Sequence, residues 1–401
     1  MKILWVNANF LHPTTKGGQI RTLEMLRRLH KRHEVHYAAI EDPKSPEGVA
    51  RAGEYCSRAF PFRLDVVPKN SPRFVGQVIG GLFSSLPLAI SRFYCREMEQ
   101  QITRLMDQER YDKSVCDFLV SAVHFPRLER ALLFQHNVET MIWRRHTDHA
   151  RDALRRFYFK LQAKRMYEFE AQACRRAGHI AAVSEQDATT MRDLFGVANV
   201  SAIPTGVDVD FFAPPANAPR ETSDLVFVGS MDWLPNVDGV SWFADEILPL
   251  IRQRRPQCRV TIVGRTPPKK IAELAANDKR VVVTGTVPDV RPYLWGATAS
   301  VVPLRIGGGT RIKIYESMAA HCPVVSTTVG AEGLDVANGE TILLADTPQE
   351  FADACLRAMA EQELRDRISE DGWELVRSQF SWDGVVGRFE EVLDQTPSAS
   401  C

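Results

Sequence analysis

The stretch Pro303 to Gly333, PLRIGGGTRIKIYESMAAHCPVVSTTVGAEG, concentrates residues that could do chemistry. An apolar strand pattern runs into three consecutive glycines, Gly307, Gly308 and Gly309, and then into a helical pattern that opens with Thr310, Arg311 and Lys313. Glycine lets a backbone approach a ligand closely, and a helix start offers unpaired N–H groups at the positive end of its dipole. Two cations stand beside that start. A diphosphate fits this arrangement, because N–H donors and the Arg311 and Lys313 charges can meet its oxygens together. The plain alternative is a glycine-rich turn with surface cations.

Two more positions invite a ligand. Gly17 and Gly18 close the loop HPTTKGG after the first apolar strand, at a β-to-α turn, where they suit either close contact with phosphates or a sugar, or an ordinary tight turn. His136 follows the apolar run Ala131 to Gln135 at its carboxyl end, where a histidine is a ligand-facing group or a satisfied polar residue. If Arg311, Lys313 and the helix start supply the charge, no metal or other cofactor is expected, and the absence of an Asp-x-Asp pair at the end of a strand pattern agrees. A Gly-x-Gly-x-x-Gly turn is absent too, which argues against a nicotinamide dehydrogenase.

The elements that must position these residues alternate in kind. An apolar strand Ile3 to Ala8, a helix with Ile20, Leu23, Leu26 and Leu29 on one face, and a strand Val35 to Ile40 make a β-α-β unit, hence a parallel sheet flanked by helices. Strands follow at Ser114 to Cys116, Ala131 to Gln135, His179 to Val183 and Val200 to Ile203. Residues 208–224, rich in Pro and polar side chains, keep no period of 2 or 3.6 and read as a linker. A second alternating series starts at LVFVG (225–229) and continues through RVTIVG, VVVTG, ASVVPL and PVVST. The expected fold class is α/β: two facing Rossmann-like domains, 1–207 and 225–380, with a helix over about 381–401 returning to the first domain. Ligands of open α/β sheets bind at the carboxyl ends of the strands, so a crevice between the domains is expected to hold the site.

In the order and spacing of several short segments the chain resembles the family 4 glycosyltransferases, retaining enzymes of the two-domain GT-B fold. The segments are Asn7 to Gly18, HNVE at His136 to Glu139, AVSEQD at Ala182 to Asp187, IPTGVD at 203–208, VFVGSM at 226–231 and the Gly-rich stretch. The resemblance implies a nucleotide-diphosphate sugar bound mainly by the second domain. Glu316 matches the second glutamate of the family's pair, which holds the ribose hydroxyls. The first falls at Gly308, so backbone groups must replace it or its role is lost. The family's cations after the first strand of the second domain are also missing from GSMDWLPN (229–236), which leaves Arg311 and Lys313 to carry the diphosphate charge, with Arg265 as a third cation. The implied donor-binding set is Gly17, Gly18, Gly229, Arg265, Val287, Gly308, Gly309, Thr310, Ile312 and Glu316. The catalytic set is His136, Arg311 and Lys313, with His136 assigned to the reacting sugar or the acceptor.

Composition bounds the remaining possibilities. The 401 residues balance at 50 Lys and Arg against 50 Asp and Glu, but the first 200 hold 31 bases against 22 acids. That basic half meets something anionic, such as a phospholipid surface or a phosphate-bearing acceptor, or is a solvated basic face. Residues 142–176 alone hold ten bases against four acids, interleaved with Trp143, Leu154, Phe157, Tyr158 and Leu161. The uncharged stretch Phe74 to Ser91 is too polar and glycine-rich for a membrane span and predicts a buried or interfacial helical hairpin. The eight cysteines show no metal-ligand spacing and predict reduced thiols; the N-terminus enters a strand directly, predicting a cytoplasmic protein, peripheral at a membrane if the basic face binds one. The expected partners are a nucleotide sugar and a lipid-linked or small-molecule acceptor, with an anionic membrane surface as a third and no nucleic acid. A sugar-nucleotide epimerase and a non-catalytic sugar-nucleotide-binding protein remain as alternatives.

Overall fold

A computed structural model describes residues 1–14, 17–68, 71–148, 152–218, 223–306 and 311–399. The chain forms two compact units, one of residues 1–204 with 385–401, the other of 205–384.

The first unit is built on a parallel sheet of seven strands in the order β3-β2-β1-β4-β5-β6-β7. These are β1 Lys2–Asn9, β2 Glu34–Glu41, β3 Arg58–Arg63, β4 Lys113–Asp117, β5 Leu132–Phe134, β6 His179–Ala182 and β7 Val200–Ala202. Its helices are α1 Gly17–Leu29, α2 Glu47–Ala50, α3 Pro72–Gly81, α4 Leu88–Ser91, α5 Arg96–Gln108, α6 Glu139–Asp148, α7 Ala153–Arg176 and α8 Glu185–Phe195. Strand β1 lies entirely buried from Ile3 to Val6, as a strand covered by helices on both faces must. The order reverses between β1 and β4, whose register pairs Val6 with Cys116. The carboxyl ends of those two strands are the place where such sheets hold ligands.

The second unit repeats the plan with a six-stranded parallel sheet, β10-β9-β8-β11-β12-β13. Its elements are the short helix α9 Val209–Phe212, then β8 Ser223–Val228, α10 Leu234–Trp242, α11 Leu248–Arg254, β9 Val260–Val263, α12 Lys269–Asn277, β10 Val281–Val283, α13 Arg291–Trp295, β11 Ala297–Val302, α14 Ile312–Ala319, β12 Val324–Ser326, β13 Leu343–Leu344, α15 Pro348–Ala360 and α16 Gln362–Gln379. Here the reversal falls between β8 and β11. Helix α17, Trp382–Gln395, carries the chain back to the first unit, where Phe389 packs on Trp5 and Phe134 with ring centroids 5.6 and 5.3 Å away.

Several expectations need correction. Strand β3 was not expected, because RAFPFR places a proline inside it; as an edge strand it tolerates the missing donor. Strand β13 has two residues and is too short for any period to show. In the stretch 208–224 expected as a linker, Asp208 caps α9, Phe212 is buried in the second unit's core and Ser223 already belongs to β8. Phe74 to Ser91 does contain two helices, α3 and α4, but α3 buries none of its residues. Gly17 and Gly18 are the first residues of α1 rather than a separate turn. The C-terminal stretch is packed as far as Ala399, which is buried and donates its N–H to the Asp112 carbonyl at 3.2 Å.

Candidate active site residues in the two units

In the first unit, the ends of β1, β4 and β5 and the start of α1 gather around a buried carboxylate. Asp117, the last residue of β4, is fully buried. Its Oδ2 accepts from Trp5 Nε1 at 3.0 Å, Asn7 Nδ2 at 2.7 Å and Thr22 Oγ1 at 2.8 Å. Its Oδ1 lies 2.7 Å from His136 Nε2. An ionised carboxylate only accepts, so Nε2 carries a proton and, in neutral imidazole, Nδ1 is left as an acceptor. Burial lowers the His136 pKa below its ordinary value against the opposing pull of Asp117, which favours that neutral ring.

The face of the ring is fixed as firmly as its edge. Phe118 stacks on His136 at 3.7 Å between centroids, with 7° between the planes. To do so Phe118 takes φ 64° and ψ 145°, a region that side chains other than glycine avoid at a cost of roughly 1–3 kcal/mol. A Cβ on Gly18 would stand 2.6 Å from the Phe118 ring and 3.5 Å from His136 Nδ1. The α1 start therefore has to be glycine at 18, and the structure brings Gly18 and His136 together. Gly17 is exposed.

Two buried ionic groups brace this corner. Arg21, one turn into α1, sits 4.4 Å over the Phe134 ring and donates to the Ile203 and Pro204 carbonyls that end the sheet; burial lowers its pKa to about 9. Glu170 of α7 accepts from the Glu139 and Thr140 N–H groups at 3.0 and 2.7 Å and from Thr140 Oγ1 at 2.6 Å. It thereby caps α6 immediately after His136, and burial raises its pKa to about 7.

In the second unit the sites predicted around the Gly-rich stretch divide. Gly307, Gly308, Gly309 and Thr310 lie outside the described residues. Lys313, on the first turn of α14, extends to the end of β8, where Nζ donates to Asn236 Oδ1 at 2.8 Å and sits 4.5 Å over the Phe227 ring. Asn236 in turn donates to the Ser230 carbonyl at 2.7 Å. A Cβ at Gly229 would meet Lys313 Nζ at 2.6 Å, and one at Gly264 would meet the Gly229 carbonyl at 1.9 Å. Gly229 thus clears the channel in which the lysine lies, and Gly264 lets the backbone of Gly229 come close to its own strand end. Arg265 stands beside it, donating to Ser230 Oγ at 2.8 Å, with Asp232 at 3.3 Å.

Arg311 behaves differently from Lys313. It is buried, donates to the Val329 carbonyl at 3.1 Å and lies 3.6 Å from Glu332, so its side chain braces the loop after β12. Glu316 lies one helical turn after Lys313. Burial raises its pKa to about 7 and lowers that of Lys313 to about 7, each opposed by the other's charge. Ile312 is half-buried at the helix start, and Val287 packs on the second unit's core. Among the described residues no group of three His, Cys, Asp or Glu is placed to hold a metal ion. Sequence reasoning missed Asp117, Phe118 and Asn236. For Asp117 the signal was present, a carboxylate closing an apolar strand.

Two parallel α/β units, each with its glycines and cations or its histidine at the strand ends beside the reversal, define a two-domain Rossmann-like protein of the GT-B fold. The family model for glycosyltransferase family 4 matches residues 15–211, and that for glycosyl transferases group 1 matches 222–361. The chain belongs to the family 4, group 1 glycosyltransferases. It is 26% identical over 242 residues to a D-inositol 3-phosphate glycosyltransferase of Nocardioides, covering 53% of each chain. It is 24% identical over 136 residues to an uncharacterized protein of the cps region of Klebsiella pneumoniae, covering 32% of this chain and 35% of that one. These matches span between a third and about half of the relatives' own length. Among solved structures, sucrose-phosphate synthase from Thermosynechococcus elongatus aligns with a TM-score of 0.69 at 19% identity, covering 98% of both chains. HepE of Anabaena in complex with UDP aligns with a TM-score of 0.70 at 14% identity, covering 98% of this chain and 100% of that one. At these identities the likeness shows the fold.

Proposed function

We propose that this protein transfers a sugar from a nucleotide-diphosphate donor to an acceptor, with retention of configuration, in the assembly of a polysaccharide, glycolipid or other glycoconjugate. One observation carries the reading: Lys313 lies in a glycine-cleared channel at the end of β8, with Arg265 beside it and Glu316 one helical turn away. Breaking the anomeric bond leaves an oxocarbenium-like sugar and a diphosphate with added negative charge. Cations held in place before that charge develops stabilise the transition state more than the ground state. In this reading Lys313 and Arg265 do this, and no divalent metal is required. Glu316, when ionised, accepts from two ribose hydroxyls. His136, with Nδ1 as an acceptor, takes a hydroxyl of the sugar or of the acceptor. The solved HepE structures in complex with UDP and with UDP-glucose support a nucleotide sugar as the donor.

Gly308, where the family carries a glutamate, favours a second reading: a protein that binds the nucleotide sugar without turning it over. Incubation with a panel of nucleotide sugars and lipid-linked or soluble acceptors, read by mass spectrometry, decides between them. A glycosylated acceptor is expected. Donor that binds and comes back unchanged marks a binding protein, and an isomerised donor an epimerase. In this reading the protein works on the cytoplasmic side, with an acceptor that is either lipid-linked at a membrane surface or a small molecule.

A further inference from the structure

Resting on that reading with a lipid-linked acceptor, we infer that helix α3, the loop after it and the first turns of α7 form one docking surface that inserts into an anionic lipid monolayer. Helix α3 has ten residues, three of them glycine, and buries none of its side chains. A helix so short and glycine-rich has little stability of its own and gains it by covering its apolar face. That face is uncovered. Val75 and Ile79, one turn apart, are more than half exposed, and Leu82 and Phe83 follow in the loop, with Phe83 90% exposed. On α7, Leu154 and Phe157, also one turn apart, are 78% and 65% exposed.

The two parts are tied together. Arg165 of α7 donates to the Gly81 and Leu82 carbonyls at 2.5 and 2.6 Å, and Gln162 accepts from the Leu88 N–H at 2.8 Å. Phe157 lies eight residues before Arg165, about 12 Å along the helix. The apolar loop is thereby held against the middle of α7, about two helical turns from Phe157.

The charge around it selects the occupant. Residues 65–92 and 152–168 hold eight Lys and Arg against three acids, Asp65, Asp152 and Glu168, which pair with Arg73, Arg155 and Lys164 and leave the surface with an excess of positive charge. Arg73, Arg155 and Lys164 each expose more than two thirds of their side chains. Apolar side chains flanked by long cations are the pattern of a segment that lies in the headgroup region, each cation adding attraction to anionic lipid. A protein partner would be expected to bury Phe83 in a pocket and to meet this charge with acids of its own.

The test is flotation with equimolar phosphatidylcholine and phosphatidylglycerol vesicles, with pure phosphatidylcholine vesicles as the control. Wild-type protein is expected to float with the anionic vesicles at low salt and to be released at high salt. Phe83→Ser combined with Phe157→Ser should lower the partition coefficient about tenfold or more, since each phenyl loses its burial in the acyl boundary. The indole of Phe83→Trp should shift its emission to the blue on addition of anionic vesicles. UDP binding, measured by calorimetry on the double variant, should match wild type. Absence of wild-type flotation at low salt overturns the inference, as does a dimer in vesicle-free solution that Phe83→Ser breaks apart. If wild type floats but binds no UDP, the donor reading fails and the lipid surface stands.

Discussion

His136 and Asp117 are joined edge to carboxylate, Nε2 to Oδ1 at 2.7 Å, while the other carboxylate oxygen takes three donors from Trp5, Asn7 and Thr22. The full set of partners on Asp117 leaves its oxygens no freedom to turn away from the imidazole. The tautomer of His136 is therefore set by Asp117 on the neighbouring strand.

Asp117→Asn tests this. The amide can keep its oxygen toward Trp5, Asn7 and Thr22 and turn its NH₂ toward Nε2, which then becomes the acceptor and moves the ring proton to Nδ1. Folding should be retained and kcat should fall about 10²-fold, since the hydroxyl facing Nδ1 meets a donor in place of an acceptor. Imidazole ¹⁵N shifts read the tautomer directly. A wild-type ring already protonated on Nδ1 would refute the assignment.

Lys313→Ala and Glu316→Ala should separate two roles on one helix. Removing Lys313 takes away a charge partner of the leaving diphosphate and should cost about 10²–10³ in kcat, or roughly 3–4 kcal/mol. Removing Glu316 should mainly raise the donor KM, because the ribose is remote from the breaking bond. Steady-state kinetics with thermal melts on both variants checks this. An unchanged kcat and donor KM in folded Lys313→Ala would show that the diphosphate binds elsewhere.

Most of the framework was legible because it rests on patterns of period 2 and 3.6 in long segments, such as Lys2–Asn9 and Gly17–Leu29. The linkage of Lys313 to Gly229 was only half legible. The glycine and the lysine are each visible, but that one exists to clear the other depends on the end of β8 lying beside α14, which no local pattern encodes. Arg311 shows the converse. Its place two residues before Lys313 suggested a shared task, yet a helix start turns the two side chains to different sides, one to Val329 and one to Asn236. The exposure of α3 was hidden because its apolar residues read equally well as a buried face.

Gly229→Ala and Gly264→Ala should differ in kind. At Gly229 the new methyl meets the tip of a flexible lysine at 2.6 Å, so Lys313 can move aside at small cost in stability and large cost in donor affinity. At Gly264 it meets the Gly229 carbonyl at 1.9 Å, so backbone must shift, and stability should fall by about 1–3 kcal/mol or more. Thermal melts and UDP titrations on the two variants provide the comparison. Equal losses of stability would argue that Gly229 serves packing alone.

Donor affinity should pass through a maximum near neutral pH. Burial lowers Lys313 to about 7 and raises Glu316 to about 7, so the fraction of molecules in which both groups are charged is largest near that value. A diphosphate favours protonated Lys313, whose charge is lost as pH rises above about 7. A ribose favours ionised Glu316, whose charge is lost as pH falls below about 7. Affinity for UDP should therefore decline on both sides, by up to about tenfold per pH unit on each limb. Binding at about pH 8 should take up a proton at Lys313, and binding at about pH 6 should release one from Glu316, after the ionisation of the nucleotide's own phosphate is subtracted. Calorimetry in buffers of different ionisation enthalpy measures both. Glu316→Gln should flatten the acid limb and keep the alkaline one, whereas Lys313→Met should do the reverse. An affinity for UDP that stays level from about pH 6 to about pH 9 in wild type would mean that neither group changes its charge when the donor binds.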